Sequence, residues 1–181
     1  MFNNILGASC VVLGTILANN INHPILSPIV FTVGILLVVD LNLGLITRSI
    51  PSGMSVKDCA KTFGMNLIVA FVLGLLLSGS GTYPQQLTGT FGGGIATGIV
   101  IGFVSIVNKC KSEYRSIITM ILMFAFVYLK LPHCVVYAFY FGALDTMTWV
   151  SAESLVFVTV GNIIGGLIVR WSMVILAKTR L

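Results

Sequence analysis

The residues of this chain that could do chemistry are few, and they lie inside apolar runs. Lys130, Leu131, Pro132 and His133 interrupt an apolar stretch from Phe126 to Phe141. A proline within a helical run removes a backbone donor and pushes the preceding residue out of helical geometry, so carbonyls near Leu131 lose partners. Hydrocarbon cannot replace them. Non-helical backbone at membrane depth is tolerated only inside protein or beside a wet cavity, and ionisable groups there point to a pathway. Imidazole titrates near neutrality, so His133 could offer a proton to a weak-acid anion and recover it from water. Neutralising the anion removes most of the cost of dehydrating it. The plainer role for His133 is a buried neutral ring bonded to Thr47 or to a backbone carbonyl. Thr47 could serve a pore through its hydroxyl, or bond a backbone group freed by the break. Lys130, three residues before His133, could draw anions inward or form a buried ion pair with Asp40.

The elements that must position these groups follow from composition. Of 181 residues, 57% are hydrophobic and 8% charged, with a net charge of +5 and a mean hydropathy of +1.05. A soluble domain carries about 25% charged residues. The chain reads as a polytopic, all-α membrane protein, one transmembrane domain over 1–181. Apolar segments run over 5–19, 25–47, 64–79, 87–107, 116–144 and 154–177. The loops after the second and fourth carry Arg48, Lys57, Lys61, Lys109, Lys111 and Arg115, and the tail carries Lys178 and Arg180. The segments 20–24, 80–86 and 145–153 hold no lysine or arginine. With six spans all basic loops share a side with both termini, which positive-inside places in the cytoplasm of an inner (plasma) membrane. The charge is thus topological, and no nucleic-acid partner is expected. Cys10, Cys59, Cys110 and Cys134 lack metal-ligand spacing and read as free thiols. One histidine with no paired carboxylate, nucleophile motif or metal cluster leaves an enzyme little to work with, and no cofactor is expected.

The second segment is also interrupted, where Asp40, Asn42, Gly44, Thr47, Arg48 and Ser49 follow a clean helix over Ile29 to Val39. Two three-helix halves, about 1–80 and 87–178, each with a broken middle span, have opposite orientation because three crossings is an odd number. This is the inverted-repeat pattern, in which broken helices mark a site near the midplane. Each half carries an asparagine in its third span, Asn66 and Asn162. Gly92, Gly93, Gly94, Gly98 and Gly102 provide small-residue spacing for close helix or subunit packing.

In Val158-Thr-Val-Gly161-Asn162-Ile-Ile-Gly165-Gly166 and Val30-Phe31-Thr-Val-Gly34-Ile35-Leu-Leu-Val-Val39 the chain resembles the formate/nitrite transporter family, over nearly its whole length. The resemblance implies an aquaporin-like fold of six transmembrane helices, two inverted repeats with broken second and fifth helices, and a homo-oligomer, a pentamer. It implies that His133 is the central pore histidine and Thr47 the loop threonine, that Phe31, Ile35, Leu45 and Phe126 form two apolar constrictions, and that Asn162, Gly165 and Gly166 pack the last helix. The family's lysine opening the fourth helix has no counterpart, and Lys130 is the residue available to replace it. The expected function is a channel or secondary transporter for small monovalent anions or their conjugate weak acids. A conduit for a small neutral solute and a non-conducting membrane scaffold are the alternatives.

Overall fold

The computed structural model describes residues 1–81, 83–109, 113–145 and 147–178, and within these only the backbone of 46–48. Eight α-helices and one short 3-10 turn, and no strand, are found among the described residues. They are α1 (Phe2–Ile21), α2 (Leu26–Asp40), α3 (Ile46–Ser52), α4 (Val56–Leu76), α5 (Phe91–Val107), α6 (Arg115–Tyr128), α7 (Cys134–Ala143) and α8 (Trp149–Lys178). Three of them, α1, α4 and α8, are each long and apolar enough to cross a membrane alone. The others are shorter apolar helices. The helices outrun the apolar segments at several ends. α4 begins eight residues earlier than the hydropathy, because Ser55 caps it by accepting from the Asp58 N–H at 3.1 Å and polar first turns need no apolar sequence.

Both interruptions share one backbone solution. α2 ends at Asp40; the Leu41, Asn42 and Leu43 amides then return to the carbonyls of Leu37, Val39 and Val38. α6 ends at Tyr128; the Leu129, Lys130 and Leu131 amides return to Ala125, Val127 and Phe126. Each is a Schellman-type ending with a left-handed residue in the middle of the three, Asn42 at φ 54° and Lys130 at φ 51°. An extended residue, Leu45 or His133, then starts the next helix. The helix therefore stops four residues before Pro132, ended by the Lys130 reversal and not by the proline ring.

The turns are held by matched clamps. Asn66 Nδ2 donates to the Asn4 and Gly44 carbonyls at 2.8 and 3.1 Å. Asn162 Nδ2 donates to Gly94 and Pro132 at 3.1 and 3.2 Å, while its Oδ1 accepts from the Cys134 N–H at 3.1 Å. Thr97 Oγ1 adds a bond to the Pro132 carbonyl at 2.8 Å. Buried between helices, these bonds supply the partners that lipid cannot. α8 can approach α5 this closely because glycines face each other. A Cβ on Gly98 would press on the Asn162 carbonyl and lie 2.8 Å from the Gly165 Cα. Gly166 instead faces the Ile50 side chain of α3, so the same helix seats both α5 and the first break's half-helix.

Candidate functional site: a chamber between the broken helices

Where the breaks meet, the structure leaves a small cavity of about 30 Å³. A water needs roughly 10–15 Å³ of such space, so only one or two waters or a comparably small solute would fit. Its wall is Val11 from α1, Phe31, Ile35, Val38 and Val39 from α2, Leu45 and His133 from the breaks, Ile101, Val104 and Ser105 from α5, and Met123 and Phe126 from α6. Among the described residues, His133 and Ser105 bring the polar side chains.

A vestibule of about 920 Å³ lies beyond, lined among others by Asn19, Asn22, His23, Lys130, Tyr137 and Tyr140. Phe31, Phe126 and His133 line both spaces and so form the wall between them. The rings of Phe31 and Phe126 are 6.3 Å apart, and His133 meets Phe126 edge-on at 6.2 Å. These are ordinary aromatic packing distances. Phe126 therefore packs against both Phe31 and His133 in this wall.

His133 is buried, and its Nδ1 accepts from the Val135 N–H at 3.2 Å. This bond fixes the ring at the start of α7 and puts the neutral proton on Nε2, so a neutral His133 is a donor through Nε2. Thr47 falls in the first turn of α3, and its side chain lies outside the described residues. Cys110 also lies outside them; Cys10, Cys59 and Cys134 are free thiols. No cluster that could hold a metal occurs among the described residues.

The Asp40–Lys130 ion pair is corrected. Asp40 pairs with Arg115 at 3.8 Å, and Lys130 is exposed in the vestibule. The physical reason is the fold-back at each break. Arg115 starts α6 and Lys130 follows its end, so the 14 residues of α6, about 21 Å at 1.5 Å per residue, separate Lys130 from the Asp40 carboxylate. Neither charge is buried: the Arg115 and Asp40 side chains are 44% and 55% exposed.

Several lining residues carry no sequence signal of their own. Val11, Ile101 and Met123 look like any lipid-facing apolar residue. Ser105 is a lone hydroxyl in an apolar helix, and its bond to the Ile101 carbonyl at 3.1 Å satisfies its proton locally.

No family model matches the sequence, and no curated protein matches it significantly. The structure is similar to a solved structure of an FNT family ion channel, with a TM-score of 0.72, 17% identity, and coverage of 92% of this chain and 84% of that one. At that identity the likeness concerns the fold. Together with the apolar helices, it makes the chain an all-helical membrane protein with a formate/nitrite transporter-like fold.

Proposed function

We propose that this protein is a membrane channel or secondary transporter for small monovalent anions or their conjugate weak acids, of the size of formate and nitrite. The observation that carries the reading is the pair of broken helices, which converge on a small apolar chamber bearing one imidazole, beside a wide vestibule bearing one lysine. Its six crossings form two inverted three-helix repeats. The recurrence of the same turn at both breaks, and of an asparagine clamp on each, supports this. Both termini are cytoplasmic by the placement of the basic loops, and the protomers assemble as a pentamer by family resemblance.

In the mechanism, Lys130 concentrates anions in the vestibule, which needs no burial and acts through its field. Phe31 and Phe126 bar hydrated ions, since an apolar constriction excludes water. His133, at that wall, donates an Nε2–H hydrogen bond to the permeant oxygen and so offsets part of the cost of dehydrating it; the proton that neutralises a weak-acid anion is taken from solution, because a neutral imidazole that gave up Nε2–H would be left as an imidazolate. Ile35 and Leu45 line the chamber beyond, and Thr47 serves the same passage from the first break. A neutral-solute conduit is the second reading, favoured by a chamber wall without a charged side chain among the described residues.

Uptake into proteoliposomes separates the two. Formate and nitrite should enter faster at acidic than at neutral pH, because more permeant is protonated, and faster than a neutral solute of equal size. His133→Ala should cut this uptake at least about tenfold, the scale of a lost hydrogen bond to a charged group. Lys130→Gln should raise the half-saturating concentration, most at low ionic strength. Equal permeation of charged and neutral solutes, indifferent to His133, would support the neutral conduit instead.

A further inference from the structure

The vestibule explains one end of the passage; the helix pair α2/α6 explains the other. These helices run antiparallel, with Phe31 level with Phe126 at one end and Asp40 beside Arg115 at the other. Val38 lies two turns beyond Phe31, and Thr119 two turns before Phe126, so the pair Val38 and Thr119 repeats, on the far side of the chamber, the position the two aromatic rings hold on the near side. The buried residues of α6 are Thr119, Met123 and Phe126, a single stripe. Arg115 continues it one turn farther, as i and i+4 share a helix face.

The far side is built differently from the near one. No ring bars it. Val38 is small, and Ser105 brings a hydroxyl to the chamber; the buried Thr119 Oγ1, on the same stripe of α6 as Met123, has no hydrogen-bond partner. The chamber wall reaches Val39, next to Asp40. What stands at this end is the Asp40–Arg115 pair. At 3.8 Å it is a through-space attraction and not a hydrogen bond, and at this exposure it contributes little to stability. Glu113, the nearest acid in sequence, makes no ion pair among the described residues.

We infer that Arg115 is the anion-selecting residue at the second mouth and that Asp40 is its built-in competitor, released when a permeant anion takes the guanidinium. Arg offers a planar fork of donors that fits a carboxylate or nitrite oxygen pair. The loose Asp40 carboxylate occupies that fork when no anion is present and leaves it at low cost. The mouth thereby favours anions, which alone can take the place of the Asp40 carboxylate on Arg115. The inference rests on the anion reading above.

The test measures formate uptake by the full chain in proteoliposomes, with a neutral solute of equal size in the same vesicles. Asp40→Asn should lower the half-saturating formate concentration by about threefold to tenfold, the worth of one removed charge at this exposure. Arg115→Gln should raise it by a similar factor. The double variant should match Arg115→Gln, because Asp40 acts only through Arg115, and neutral-solute permeation should not change. If Asp40→Asn slows formate, loosens the neutral-solute barrier or fails to assemble, the pair is a structural tie and the inference is overturned. Wild-type vesicles that pass no formate would overturn the anion reading and the inference together; formate uptake unaltered by Asp40→Asn would overturn only the inference.

Discussion

Asn162→Leu is expected to leave little folded protein in the membrane, with the stability of the remainder lowered by about 2–4 kcal/mol. The figure follows from what each of its bonds would abandon. The Cys134 N–H, first in α7, has the Asn162 Oδ1 as its acceptor at 3.1 Å, and an orphaned buried amide costs about 1–3 kcal/mol. The Pro132 carbonyl keeps the Thr97 hydroxyl at 2.8 Å, so losing Asn162 there costs closer to the ~0.6 kcal/mol typical of a single interhelical bond in a membrane. Gly94 is treated alike. Thermal unfolding in detergent followed by size exclusion reads the effect, and Asn162→Asp should fall between, since it keeps the acceptor and loses the donor. A wild-type melting curve for Asn162→Leu would mean that the second break is held by something else.

Phe126→Ala should have the largest effect on passage. Phe126 is 4% exposed and touches both Phe31 and His133, so its removal merges the chamber of about 30 Å³ with the vestibule of about 920 Å³. Dewetting barriers depend on bore and wall polarity. Formate flux is expected to rise by at least about tenfold, and anions of four to six heavy atoms, excluded by the intact wall, should begin to pass. Phe31→Ala should do the same less strongly, because His133 still packs against Phe126. Stability should fall less than for a core phenylalanine, as one side of the ring already faces the chamber. Unchanged selectivity in Phe126→Ala would place the barrier elsewhere.

Much of the fold was legible in the sequence because membrane insertion forces it into hydropathy. The second and fifth apolar segments carried their polar interruptions openly, and the paired asparagines, Asn66 and Asn162, stood out as amides in apolar helices. The placement of charge at the breaks was not legible. Asp40 and Lys130 both looked deep because each lies in mid-segment, yet each fold-back returns the chain by several residues and leaves Asp40 and Lys130 at opposite ends of α6. A left-handed lysine gives no pattern signal, since glycine or asparagine is the usual residue there. Pro132 looked like the helix breaker and is instead an acceptor, its carbonyl taking Thr97 and Asn162. The apolar half of the chamber was legible in part: Phe31, Ile35, Leu45 and Phe126 line it, while Val11, Ile101 and Met123 depend on helix rotation that periodicity in an all-apolar helix does not report.

Whether water and small solutes pass through the chamber can be asked at Ser105. With the four native cysteines replaced by alanine, Ser105→Cys should react with a small water-borne methanethiosulfonate, and Phe126→Ala in the same protein should speed that reaction by about tenfold as the aromatic wall opens. Reaction only with a lipid-soluble maleimide, with or without Phe126, would put this face of α5 against acyl chains and contradict a passage between the two broken helices.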